Sequence, residues 1–359
     1  MRWVTEERGA AAVLTAVSLT ALIAMAAFAI DTGALYAERR ELQNGADAAA
    51  LAIAEDCAYE ILPCTGAFAQ ITGDAYADAN ASDSAALIHD IALDPTGKTV
   101  TVTVRSEDEA GETVMAPFFA QVIGFDGTEV QAAATAEWGF PRGIRQAPPL
   151  IISDCEYNPG YIPPTWPEKG DPFIFYFHDG NSPDFNEEEG SCHESTSGFD
   201  LPGGFGWLAA SGCGIDLDTG TDHLADPGSS PSNGCTPEVL KKRLMPHHES
   251  KQVATVLPYF SQCVAGDGDC MLGLGGLGNN IWYTVSDFGG FFVTGYNFGG
   301  QYKQQTEELF YPDGEPFLPA GLPCTGDERC IAGYFAEATI YDGTPGGTDR
   351  GVILIKLTN

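Results

Sequence analysis

Twenty-one consecutive residues, Ala10 to Ile30, carry no charge and run into the polar, alanine-rich stretch ERRELQNGADAAALA (38–52) with no intervening proline. As a helix the uncharged run spans about 31 Å, close to the thickness of a bilayer's hydrocarbon core. Nine alanines with Thr15, Ser18 and Thr20 keep it only moderately apolar. Its Val, Leu, Ile and Phe side chains still favour insertion. Asp31 to Ala54 is mostly helix formers, and Leu35, Leu42, Ala46, Ala49 and Ile53 recur at helical spacing. The expectation is one rod: a transmembrane helix over 10–30 continuing outward as a soluble spine.

A cleavable signal peptide is the alternative. Arg2 and Arg8 supply a basic region, and Ala27-Phe28-Ala29 has the form of a cleavage site. The apolar run exceeds the usual 7–15 residues, and the helical pattern does not stop there, so a retained anchor is the reading adopted. Ala12, Ala16, Thr20 and Ala24 stand four apart and form a small-residue stripe suited to close helix packing in lipid. Alanine richness alone also produces such stripes.

Ten cysteines follow the span and none precedes it. None forms C-x-x-C, so zinc chelation fits poorly and disulfides in an oxidising compartment fit better. The short N-terminus (1–9) is then cytoplasmic, the remainder extracellular, and the chain a single-pass protein of the cell membrane. Short loops close at least entropic cost, which gives the expected pairs Cys57–Cys64, Cys155–Cys192, Cys213–Cys235, Cys263–Cys270 and Cys324–Cys330. Spacing alone does not fix the connectivity. A net charge of −33 excludes nucleic acid as a partner.

The N-terminal segment resembles the TadE/TadG-like proteins of the Tad (tight adherence, Flp pilus) assembly apparatus. The resemblance is carried by Arg8-Gly9, Asp31 at the outer end of the span, Arg39-Arg40, Leu42-Gln43-Asn44 and Asp47-Ala48-Ala49-Ala50-Leu51-Ala52. It implies a membrane-anchored, pilin-like structural protein with no catalytic residue, whose partners are the cell membrane, other Tad pilins or pseudopilins, and the assembly platform. Processed prepilins carry a glutamate five residues after the cleaved glycine; here that position is Leu14, which argues against cleavage after Gly9.

Beyond the Cys57–Cys64 loop, AFAQITGDAYADANASDSA (67–85) reads as weakly helical, KTVTVTV (98–104) as a strand, VMAPFFAQVIG (114–124) as a short helix, and TEVQAAATAEWGF (128–140) as a closing strand. Residues 31–140 are therefore a pilin-like spine with a small α+β head. PRGIRQAPP (141–149) reads as a linker. From 150 to 359 the texture is a disulfide-rich, mainly-β domain, with strands at LIIS, FIFYF, QVATVL, IWYTV, FFVTGY, YFAEATI and GVILIKL. LPGGFGWLAASGCGIDLDTGTDHLADPGSSPSNGC (201–235) resembles a segment of actinobacterial TadG-related proteins. The fold class expected is α+β.

No nucleophile elbow, Walker loop or zincin motif appears. GLGGLG (273–278) reads as a glycine-rich loop, His247-His248 as surface histidines, and Cys192-His193-Glu194 lacks a partner cluster. No cofactor is expected. DGNSPDFNEEEG (179–190), with Asp267 and Asp269, is oxygen-rich but off the calcium-loop pattern, so solvated acidic loops are favoured and calcium stays open. The alternative function is a surface adhesin or binding module for an extracellular ligand, with an anchored hydrolase a distant third.

Overall fold

The computed structural model describes residues 4–81, 86–107, 113–115, 117–154, 169–178, 206–226, 231, 234–248, 250–265, 268–269, 281–326 and 328–358. Two compact units divide the chain: Met1–Trp138 with Ile355–Asn359, and Gly139–Leu354.

In the first unit, a single helix α1 (Val4–Ala58) runs through the uncharged segment and the polar stretch without a break. A second helix, α2 (Gly66–Asn80), packs against it, with Ala69, Gly73 and Ala77 buried. Between them the Cys57–Cys64 disulfide closes the turn. Strands β1 (Ala86–Asp94), β2 (Thr99–Ser106) and β3 (Gln131–Gly139) form an antiparallel sheet, registered at Ala92↔Thr101 and Val102↔Ala134. Period-two alternation puts Val100, Val102 and Val104 at zero exposure, with Ala132, Ala134 and Ala136 buried beside them. Each fully buried valine contributes about 1.5–3 kcal/mol.

The expected short helix over 114–124 is reduced. Val114–Met115 pairs with Thr128–Glu129, and only Ala120–Ile123 turns, as a 3₁₀ helix. Pro117 lacks an amide hydrogen and disfavours helical backbone in the residue before it, so a longer helix does not begin there.

In the second unit the core is aromatic. Strands β5 (Pro172–His178), β7 (Thr255–Ala265), β8 (Ile281–Asn297) and β9 (Arg329–Phe335) form an antiparallel sheet in the order β7-β8-β9-β5. A three-stranded sheet is built from β4 (Pro141–Ala147), β6 (Ile215–Asp218) and β11 (Gly343–Pro345), with β4 in the middle. Phe175 meets Phe291 at 5.0 Å, and Trp207 meets Phe298 at 4.7 Å, between ring centroids. Burial pushes the Tyr296 phenol up to about 12, so it stays neutral in this core.

Several boundaries differ from the sequence reading. Residues 141–147 are not a linker: Ile144 and Ala147 are buried, and the strand is paired on both sides. IWYTV and FFVTGY are one strand, because Gly289 and Gly290 continue it rather than turn it. A Cβ at Gly290 would lie 2.1 Å from the Ala336 carbonyl oxygen, so the glycines serve close backbone approach. The C-terminal strand β12 (Val352–Thr358) pairs in parallel with β10 (Ala338–Ile340) through Val352–Leu354, whereas Ile355–Asn359 belongs to the first unit. The expected 150–359 domain is thus displaced at both ends.

A helix missed from sequence, α3 (Pro237–Leu244), buries Leu240 and Leu244. Its signals are complete: Thr236 accepts from the Val239 amide, Pro237 opens the helix, Glu238 sits in the first turn and Lys241–Arg243 in the last.

Gly206 adopts φ +63°, and a Cβ there would lie 2.6 Å from the Ile151 carbonyl oxygen and 2.9 Å from the Phe177 ring. Gly206→Ala is expected to destabilise the second unit by about 2 kcal/mol or more. Thermal unfolding of the detergent-solubilised full chain, parent against variant, measures it; unchanged melting refutes the steric account.

Candidate functional site: the membrane-proximal spine

The functional residues expected from sequence lie on α1, and the structure sorts them by face. At about 100° per residue, Asp31, Leu35, Leu42, Ala46, Ala49 and Ile53 fall within about 60° of one another. Leu42, Ala46, Ala49 and Ile53 are buried on this face. Gln43 donates to Asp47 at 2.8 Å and reaches across to the Ala133 carbonyl at 3.1 Å, tying α1 to β3. Asn44 is exposed.

Asp31 is the residue whose role the sequence left open. It is only 6% exposed. Its carboxylate accepts the Phe119 amide at 3.0 and 3.1 Å and the Ala120 amide at 2.7 Å, at the start of the 3₁₀ turn. These charge-assisted bonds satisfy donors that a helix start leaves without partners. The signal was present: Asp31 falls on the apolar stripe, where an acid needs a polar partner.

The remaining positions are peripheral to this contact. Ala12, Ala16, Thr20 and Ala24 are exposed along α1, as is Gly9, while the side chain of Arg8 lies outside the described residues. Thr15, Thr20 and Thr32 donate their hydroxyls to the carbonyls of Ala11, Ala16 and Phe28 at 2.7–2.8 Å, which removes an unpaired polar group from the apolar run. Arg39 and Arg40 are exposed, and the Arg40 guanidinium stands 6.0 Å from the Tyr36 ring centre.

In the second unit, disulfides join Cys213 to Cys235 and Cys324 to Cys330. The expected pair Cys155–Cys192 lies outside the described residues, as do Cys270 and the side chain of Cys263, its expected partner on β7, together with His193, 179–190, Asp267 and 273–278. Among the described residues no group of three His, Cys, Asp or Glu side chains is placed to hold a metal ion. His247 and His248 are exposed on a short hairpin, with His247 Nδ1 donating to the Met245 carbonyl.

Two features here escaped sequence reasoning. A cleft of about 400 Å³ is bordered by Arg145, Lys242 and Arg243. All three cations are engaged within the fold: Arg145 with Asp218 at 3.1 Å, Lys242 with Glu238 at 3.2 Å, and Arg243 with Gln146 at 2.6 and 2.8 Å. The second feature is a charge cluster. Arg350 bridges Asp154 and the buried Asp287, each at 2.7 Å, and Asp287 also takes bonds from Thr348 and the Phe288 amide. Burial pushes the Asp287 carboxyl up, against the opposing pull of Thr348 and Arg350.

Residues 9–55 match the Tad family model, described as "Putative Flp pilus-assembly TadE/G-like". No curated protein and no solved structure matches the chain significantly. The matched range holds the uncharged run, Asp31 and the buried stripe; it ends before 201–235, so the likeness of that segment to actinobacterial proteins stays a resemblance.

Two measurements test this geometry. Asp31→Ala should loosen the turn by about 1.5–3 kcal/mol, seen as at least tenfold faster hydrogen exchange at the Phe119 and Ala120 amides, with Asp31→Asn intermediate. Arg350→Met should cost about 3–5 kcal/mol by stranding a buried carboxylate. Because the folded Asp287 carboxyl titrates above its unfolded value, its contribution to stability rises as pH falls through that raised value. Asp287→Asn should remove that slope, as read by thermal unfolding between acid and neutral pH.

Proposed function

We propose that this chain, whose residues 9–55 are a TadE/G-like Flp pilus-assembly segment, is a membrane-anchored, pilin-like structural component of the Tad pilus apparatus. The observation that carries the reading is the coincidence of the matched range with α1, one helix that is exposed over its apolar half and buried against a sheet over its polar half. A helix of that kind is suited to bridge lipid and a folded head. Gly9 to Ala58 is long and apolar enough to cross a membrane, and none of its apolar window is buried.

In this reading the helix crosses once, with the N-terminus cytoplasmic and the disulfide-bonded part outside, where oxidation persists. Its partners are other Tad pilins or pseudopilins and the assembly platform, met through the small-residue stripe of Ala12, Ala16, Thr20 and Ala24. The protein acts without catalysis or cofactor. Adhesion belongs to the second unit, whose exposed Trp282, Tyr311 and Tyr341 offer contacts to an extracellular ligand.

Immunogold labelling of sheared pili, with deletion of the gene, separates fibre component from assembly factor; normal piliation in the deletion strain sinks both. Ala16→Leu with Thr20→Leu raises hydrophobicity while blocking close backbone approach. The double change should reduce crosslinking to other pilus subunits several-fold and leave membrane fractionation intact. Unchanged crosslinking removes the stripe from the account.

A further inference from the structure

We propose that Val114, Phe118, Val122 and Phe125 form an interfacial docking element, inserting their side chains into the headgroup–acyl boundary of a phospholipid leaflet beside the span. The inference rests on the reading of Ala10–Ile30 as a membrane helix. The stretch VMAPFFAQVIGF contains no ionisable side chain, in a chain of which 19% is charged. Four of its apolar side chains face outward: Phe118 is 80% exposed, Val122 87%, and Val114 and Phe125 about half. Exposed side chains of this size, clustered within twelve residues, mark a contact surface more often than a solvated loop.

The position of the cluster identifies the partner. Asp31 follows Ile30, the last residue of the uncharged run, and it holds the amides of Phe119 and Ala120 at 2.7–3.1 Å. The 3₁₀ turn is therefore pinned to α1 where the hydrocarbon ends. Phe28 and Ile30, on the adjoining turn of α1, are themselves exposed. The first charged side chains beyond Asp31 are Glu38, Arg39, Arg40 and Glu41, about two helical turns on. Between the span and those charges lies a band where an aromatic and aliphatic wedge meets the depth at which such side chains partition. Lipid already surrounds α1 at this level, whereas a protein partner would have to be brought to it.

Asp31 also fits that location. A carboxylate near the low-dielectric boundary is costly unless its oxygens are hydrogen-bonded. Two backbone donors from the docking segment satisfy it, so the polar group that pins the wedge is shielded by the wedge.

The test is photocrosslinking of the full chain in phospholipid vesicles containing radiolabelled phosphatidylglycerol and phosphatidylcholine. Benzoylphenylalanine replaces Phe118 or Val122 in turn, with Leu19 as a reporter in the span and Ile71, exposed on α2, as a solvent reporter. Lipid adducts at 118 and 122 at least tenfold above those at 71, with strong labelling at 19, are expected. Labelling at 19 with only background lipid adducts at 118 and 122, or with adducts to protein instead, overturns the docking element and leaves the anchor standing. Background labelling at 19 removes the anchor, and the proposal with it.

Discussion

The packing of the outer half of α1 on the β1–β3 sheet determines how the first unit is organised. Both surfaces are built from small or β-branched side chains: Ala46, Ala49, Ala50 and Ile53 on the helix, and Val100, Val102, Val104, Ala132, Ala134 and Ala136 on the sheet. Alanine loses no rotamer freedom on burial and is the best helix former, so it satisfies helix propensity and close approach together. The contact also fixes the rotation of α1 about its axis. That rotation turns Asp31 toward the segment it caps, about eleven residues before Leu42 on the same stripe.

The second unit is stabilised differently. Its interior is dominated by rings, including Phe175, Tyr259, Phe291, Phe298 and Trp207, all buried. Aromatic pairs add direction to area burial, because edge-on and offset contacts are preferred over a face-to-face sandwich. Into this unit the fold also places Arg350 between Asp154 and Asp287. A buried ion pair gains little net stability once desolvation is counted, yet removing either partner is costly.

What was legible in the sequence follows from how local each signal is. The continuous rod, the alternation of KTVTVTV and the pairs Cys57–Cys64 and Cys324–Cys330 depend on neighbours within about seven residues, Cys213–Cys235 closes a loop of 22, and the structure contains each of them. The misreadings have non-local causes. Pro141–Ala147 looks like a linker because its pairing partners, β6 and β11, lie far along the chain. Gly289-Gly290 looks like a turn because the backbone that crowds it, at Ala336, is more than forty residues away. Helix α3 was legible in its caps but too short to show a periodic face. Asp31 was noticed as part of a motif, while its partner amides, nearly ninety residues distant, were invisible to spacing.

The charge of the chain bears on all of its contacts. With 50 acidic and 17 basic residues, the protein is repelled by anionic lipid headgroups and by other acidic surfaces within a Debye length of about 8 Å at physiological salt. Binding to a membrane by charge alone is thereby disfavoured, and the cations bordering the second unit's cleft are already engaged internally. The contacts left to such a protein are apolar or backbone-mediated, which repulsion opposes less. Both kinds occur together around Asp31: an uncharged span on one side, an uncharged exposed turn on the other, and between them a carboxylate whose charge is met by main-chain donors. On the docking proposal, the acidity that keeps much of the surface in water leaves adhesion to lipid to the uncharged span and the exposed turn beside Asp31.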